Sequence, residues 1–351
     1  MAGTNNYHDA QNKQNILKLR AVLDTLPPFC NEFFRGISDT TSTRTRLAYA
    51  YDIRVFFEFL HETNSVCKKM DIRDIPIDVL NRVTRQDIEE YLSYVSYYEK
   101  DGKEITNTER GKARKLSSLR SFYNYYFQNE RIIKNTAELV PVPKLHEKAI
   151  IRLDPNEVAT LLDQVEAGTK LTKKELAYHE KNKISDVALL TLLLGTGIRV
   201  SECVGLDIQD VDFENNGIKI RRKGGYEAVV YFGEEVENAL QEYMAERKHC
   251  IPSSGHENAL FLSMQNRRIA VRSVENLVKK YASRVTTLKK ITPHKLRSTY
   301  GTTLYRETGD IYLVADVLGH KDVNTTRKHY ATMEDERRRM AAKVVKLREE
   351  K

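Results

Sequence analysis

Six residues in the C-terminal half carry side chains suited to handling a phosphoanion. Arg199 follows Gly195-Thr-Gly197 at the end of an apolar run, LLLGTGIRVSECVGL, with Glu202 three positions on. Lys223 stands in RRKGGY, beside the turn-forming pair Gly224-Gly225. His294 and Arg297 lie in TPHKLRSTYGTTLY at a spacing of three, which places both on one face of a helix. His320 and Tyr330 belong to LGHKDVNTTRKHYAT, among basic and hydroxyl residues rather than apolar ones. Guanidinium groups meet phosphate oxygens bidentately and stay charged at any workable pH. Imidazoles donate or accept near neutrality, as the other side chains in the set do not. Each residue singly has an ordinary explanation: a surface ion pair, an exposed turn lysine, a helix-end histidine, a capping tyrosine. Only the set, in one order, points to chemistry.

That order is Arg, hairpin Lys, His-x-x-Arg, Gly-His and Tyr, in the contexts GTGIRVSE and LGH. It resembles the tyrosine recombinase (phage integrase) family over about residues 150–335. Length and layout are similar to the Xer-type members, particularly the single-recombinase versions of some Gram-positive bacteria. The resemblance implies a DNA strand-exchange enzyme that cuts and rejoins duplexes through a 3′-phosphotyrosine. Tyr330 would be the nucleophile, Arg199 and Arg297 the clamp on the scissile phosphate, and His320 a partner on the phosphate side. His294 would be the base and Lys223 the general acid for the departing 5′-hydroxyl. Tyrosine needs such help: with a reference pKa of about 10, only on the order of 0.1% is phenolate at pH 7. Glu202 would support the active-site arginine without reacting. The phosphotyrosine stores the energy of the backbone bond, so neither a cofactor nor a metal is expected, and no Walker-type loop or carboxylate cluster is present.

These residues must be held by two kinds of element. Pro27 and Pro28 break residues 10–36 into one or two short helices. The stretch 42–60 has helical period, with Leu47, Tyr51, Val55 and Phe59 as its apolar stripe. Thr84 and Asp87, ahead of Ile88, Tyr91 and Leu92, form a capped helix start. A helix is predicted over 108–128, with Leu116, Leu119, Tyr123 and Tyr126 inward. The first 135 residues therefore read as an all-helical domain with an N-terminal extension over 1–40, similar by pattern to the family's core-binding (SAM-like) domain. Arg44, Arg46, Arg110, Lys112, Arg114 and Lys115 are its candidate DNA contacts, with Arg120 on the same exposed side. Pro141 and Pro143 mark 136–155 as an extended linker. Residues 156–351 form the catalytic domain, with a polar, Lys-rich insertion at 168–185. Strand signals occur once, over 210–232, where Asn216-Gly217 and Gly224-Gly225 predict a three-stranded antiparallel sheet. Helices resume at 234 and run to the end. The fold class is thus mostly α, with one small sheet.

Composition sets the outer limits. A chain of 351 residues with 40% hydrophobic and 30% charged residues suits a folded protein of two domains. Lys and Arg total 57 against 49 Asp and Glu, a net charge of +8 compatible with a polyanion partner. Cys30, Cys67, Cys203 and Cys250 show no zinc or dithiol spacing, so reduced thiols are expected. No apolar run reaches membrane-spanning length and no signal peptide is recognisable, so the expected location is cytoplasmic. The resemblance implies as partners double-stranded DNA with inverted-repeat arms, a homotetramer on two duplexes, and a DNA translocase or accessory protein. Two basic domains on a linker would enclose the duplex, and Met340, Val344 and Leu347 in the tail 331–351 would dock on a neighbouring protomer. Three rivals stand beside the Xer reading: an integrase or excisionase of a phage or conjugative transposon, a type IB topoisomerase, and a catalytically inactive DNA-binding regulator. No extra arm-binding domain is recognisable, which favours chromosome-dimer resolution over element integration.

Overall fold

The computed structural model describes residues 7–145, 151–222, 225–320 and 322–323. The chain divides into two compact units, Met1–Lys148 and Ala149–Lys351.

The first unit contains α1 (Tyr7–Leu23), α2 (Cys30–Gly36), α3 (Thr43–Thr63), α4 (Val79–Arg82), α5 (Arg85–Tyr94), β1 (Tyr97–Lys100), β2 (Lys103–Thr106) and α6 (Glu109–Gln128). Ser42 starts α3 by accepting the Thr45 N–H at 3.2 Å. The capping box predicted at α5 is present: the Thr84 hydroxyl accepts from the Asp87 N–H, and the Asp87 carboxylate accepts from the Thr84 N–H. The core is aromatic, with Phe33, Phe57 and Tyr126 edge-on to Phe122, and Phe56 edge-on to Tyr91. Leu116, Leu119, Tyr123 and Tyr126 are buried as expected. Tyr51 is not part of the α3 stripe; it is 40% exposed and carries the Arg54 guanidinium over its ring.

Two expectations for this unit need correction. It is not all-helical, because β1 and β2 pair as an antiparallel ribbon. Their turn is Asp101-Gly102, both at positive φ (51° and 69°), the backbone a two-residue hairpin of this twist requires. The linker also begins later than residue 136. Residues Thr136–Leu139 form a 3₁₀ turn, and Thr136, Ala137 and Val140 are buried in this unit. Arg120 binds that turn through the carbonyls of Ala137 (3.2 Å) and Val140 (2.6 Å), so it is committed to the fold rather than left on a basic face.

A buried charge ties α3 to α6. Asp52, 1% exposed, accepts from both Arg114 Nη atoms (2.5 and 2.7 Å), Lys115 Nζ (3.2 Å) and Ser118 Oγ (2.8 Å). Removing one partner of such a cluster strands the other charge, at a cost of about 3–5 kcal/mol, whereas replacing both with apolar groups is close to neutral. Asp52→Ala is therefore expected to lower unfolding stability by about 3 kcal/mol or more, and Asp52→Leu with Lys115→Met to recover most of it in denaturant melts.

The second unit opens at α7 (Pro155–Ala167), with Pro155 at its first turn and Asp154 N–H bound by Glu157 at 2.8 Å. The 168–185 insertion is mostly helix: after Gly168, Thr172 caps α8 (Lys173–Thr196), which runs through it without a break. Helix α8 is the spine, apolar at Leu189, Leu190, Leu192 and Leu193. Against it pack α7, α10 (Glu234–Arg247) and α12 (Pro293–Thr308). Between these lie α9 (Val200–Gly205) and the predicted antiparallel sheet, β3 (Val211–Asp212), β4 (Gly217–Arg221) and β5 (Glu227–Tyr231), in that order. The helices expected from 234 onward are interrupted over 248–270, which holds only two isolated bridges, before α11 (Val271–Val285). Asp186 on α8 anchors α11 by accepting from Tyr281 Oη (2.8 Å) and Lys280 Nζ (3.3 Å). Helix α13 (Ile311–Leu318) follows α12. The tail over 331–351 lies outside the described residues. Among those described, no helix is long and apolar enough to cross a membrane.

Candidate active site

The site is built on two helix ends that meet. Gly197 ends α8 at φ 63° and Gly319 ends α13 at φ 61°, both in the left-handed region that disfavours any Cβ. A Cβ at Gly197 would also strike the Tyr300 ring at 2.4 Å. At Gly319 the chain closes a Schellman turn: its N–H donates to Asp316 O, and the His320 N–H to Ala315 O at 2.9 Å. That turn leaves His320 half-buried just past the helix end.

Arg199 caps α9. The buried Glu202 accepts from the Arg199 backbone N–H and from its Nη1, both at 2.7 Å. The role expected for Glu202, support of the arginine, matches this geometry. Arg199 Nη2 donates to Gly319 O at 3.4 Å. Arg297, 5% exposed on α12, donates to Gly197 O at 2.5 Å and to Leu318 O. Thus Arg199, Arg297 and the segment preceding His320 converge, although Arg297 reaches 100 positions back to Gly197 and Arg199 reaches 120 positions on to Gly319. Glu202 and the carbonyls fix the orientation of the two guanidiniums, groups suited to meeting phosphate oxygens. His294 is exposed in the first turn of α12. Lys223 and Tyr330 lie outside the described residues.

One participant escaped the sequence reading. Arg222 donates to Asp316 O (3.3 Å) and Val317 O (2.9 Å), at the same end of α13. The only sequence signal was its place next to Lys223.

The candidate DNA contacts divide. Arg44 and Arg110 are exposed and Lys112 is half-buried. Arg46 lines a cleft of about 460 Å³ together with Arg20 and Arg35, which the sequence reading did not single out. Lys115 is buried and, with Arg114, is committed to Asp52, so its place on a basic DNA-facing surface is corrected: the helical period put it beside the apolar stripe, where only an ion pair makes burial tolerable. Among the described residues, no group of three or more His, Cys, Asp or Glu side chains gathers as a metal site. All four cysteines are unpaired, and burial pushes the Cys203 thiol up to about 12, far from reactive thiolate.

The Phage integrase family matches residues 152–337, which holds every residue of this cluster and more than half of the chain. The chain belongs to the phage integrase family. It is a tyrosine recombinase with Xer-like relatives. "Tyrosine recombinase XerC" of Caldanaerobacter subterraneus subsp. tengcongensis is 34% identical over 314 residues, covering 86% of this chain and 82% of that protein. "Tyrosine recombinase XerS" of Streptococcus equi subsp. equi is 28% identical over 349 residues, covering 92% and 97%. Two solved structures share the fold. The XerH site-specific recombinase bound to palindromic difH substrate gives a TM-score of 0.65 at 20% identity, covering 86% of this chain and 80% of that one. The Tn1549 transposon integrase in complex with transposon right end DNA gives 0.62 at 23%, covering 90% and 99%. Fold likeness therefore extends to Xer and transposon enzymes alike.

Proposed function

We propose that this recombinase is an Xer-type enzyme that exchanges DNA strands at a chromosomal site through a 3′-phosphotyrosine, with chromosome-dimer resolution as its task. The observation that carries the chemistry is the meeting of Arg199 and Arg297 at the Gly319 turn. Two guanidiniums from separate elements would take the non-bridging oxygens and stabilise the charge that grows as phosphorus is attacked. Tyr330 attacks, the 3′-phosphate becomes esterified to its Oη, and the 5′-oxygen leaves. His294 takes the phenol proton and His320 donates to a phosphate oxygen. Lys223 gives the 5′-oxygen its proton. Attack by another 5′-hydroxyl reverses the sequence on the partner duplex, so four protomers on two duplexes with inverted-repeat arms complete the reaction. A DNA translocase or accessory protein is a further partner in this reading. Near end-to-end alignment with XerS supports the Xer assignment over an element integrase.

Lys223→Ala is expected to slow cleavage by about 10²–10⁴-fold, the usual contribution of a general acid. A 5′-bridging phosphorothiolate, whose sulfur leaves without a proton, is expected to restore the rate, and absence of that rescue removes the general-acid assignment. The biological role is tested by sequencing DNA trapped covalently on the protein in cells. A single chromosomal site near the replication terminus is the expected result, whereas mobile-element ends would make the protein an integrase. Relaxation of supercoils by a monomer without a site requirement would instead make it a topoisomerase.

A further inference from the structure

We infer that Arg222 is a positioning residue of this recombinase, one that locks the root of the β4–β5 hairpin to the end of α13 and so places Lys223 for its part at the scissile 5′-oxygen. The inference rests on the role proposed above for Lys223.

Arg222 lies one residue beyond β4. Its N–H donates to Tyr226 O at 2.7 Å and its carbonyl accepts from the Gly225 N–H at 3.1 Å. Among the described residues, Arg222 thus takes part in both of the backbone hydrogen bonds at the hairpin's root. Its side chain leaves the sheet and bridges to α13, donating to Asp316 O and Val317 O. Arg297 takes the next carbonyl, Leu318 O, and Arg199 the one after, Gly319 O. Four successive carbonyls at one helix end are thus engaged by three arginines from three elements.

The partial negative charge of a helix C-terminus favours cations, so each contact is favourable. The arrangement also fixes the hairpin root relative to the two arginines that would hold the phosphate. A hairpin tied only through its strands pivots about its base, whereas a proton donor must stay within hydrogen-bond reach of the leaving oxygen. A planar two-pronged group spans adjacent carbonyls as a lysine's single ammonium does not. Gly319 shows how close the contact is. A Cβ there would lie 1.9 Å from Arg222 Nη1 and 2.4 Å from its Cζ. Glycine at 319 thus serves the left-handed turn and makes room for the guanidinium. The Arg222 Nε is buried and unpartnered, a burden that a residue serving only to fill space would not carry.

The test is single-turnover cleavage of a suicide duplex carrying either oxygen or sulfur at the 5′-bridging position. Arg222→Ala is expected to cleave the oxygen substrate about 10–100-fold more slowly, in line with loss of placement, and the sulfur substrate at close to the wild-type rate. Duplex affinity should be unchanged, melting temperature should fall modestly because two carbonyls lose their donor, and Arg222→Lys should give an intermediate oxygen rate. Arg222→Ala in a Lys223→Ala background should add no further loss. A wild-type oxygen rate for Arg222→Ala, or an equal loss on both substrates, overturns the inference. If Arg222→Ala does not fold, Arg222→Gln is judged by the same criteria. Failure of sulfur to rescue Lys223→Ala would instead fall on the general-acid role alone. In that event the double variant decides: a fully additive loss overturns the positioning role, and no added loss supports it.

Discussion

Tyr330→Phe is expected to abolish covalent capture on a nicked or suicide duplex while duplex binding persists. The substitution deletes one oxygen and keeps the ring, so bulk and net charge are unchanged and only the proposed nucleophile is lost. Binding is carried by phosphate contacts from arginines and lysines, which the change does not touch. A phenyl ring carries no oxygen to attack phosphorus, so covalent product should fall by at least about 10³-fold. Denaturing gels that resolve protein–DNA adducts, run beside a filter-binding assay, read both quantities. Strand transfer by Tyr330→Phe at the wild-type level would sink the mechanism. A wild-type protein that binds but never forms the adduct would identify an inactive regulator.

Arg297→Ala is the second large effect. Arg297 is buried and joins the ends of α8 and α13 through Gly197 O and Leu318 O, so it stands at the centre of the proposed phosphate clamp. Losing a donor aimed at charge that develops in the transition state costs about 10²–10³-fold. Here the whole guanidinium goes, and a drop in cleavage of about 10³-fold is expected, near 4 kcal/mol. Two carbonyls also lose their donor, so melting temperature should fall as well. Arg297→Lys separates the two consequences: it keeps the charge and loses the fork, and should recover stability more than rate. If Arg297 neutralises one phosphate, the slope of log affinity against log salt should shrink by about 0.9 in Arg297→Ala, which lacks the charge, and not in Arg297→Lys. Cleavage by Arg297→Ala within fivefold of wild type would remove Arg297 from the clamp.

Local rules that act within a few residues were legible in the sequence and reappear in the structure. The Thr84–Asp87 capping box, Pro155 at the start of α7 and the sheet around Asn216-Gly217 are of this kind. Each is governed by backbone geometry that a short peptide already carries. The β1–β2 ribbon was missed although Asp101-Gly102 advertises it, because its flanking strands are four residues each and largely polar. The insertion at 168–185 read as a polar, Lys-rich addition, and most of it continues α8: lysine, glutamate and alanine favour helix, and no glycine or proline interrupts it after Thr172.

The sequence by itself determined which candidate groups this protein owns: two arginines, two histidines, a lysine and a tyrosine, in an order that marks its family. Residue type and order are covalent facts and need no folding to be read. Only the tertiary structure decided which basic residues remain available. Lys115 sits three residues past Lys112 on the same helix, yet it is consumed by Asp52, sixty-three positions away. Arg222 looks like an ordinary strand-end arginine, yet it reaches carbonyls more than ninety positions downstream. Helical and strand periods report which face a side chain takes, not what that face meets. That meeting is set by how α8, α12 and α13 pack their ends together, and it brings three separate arginines to one short run of carbonyls.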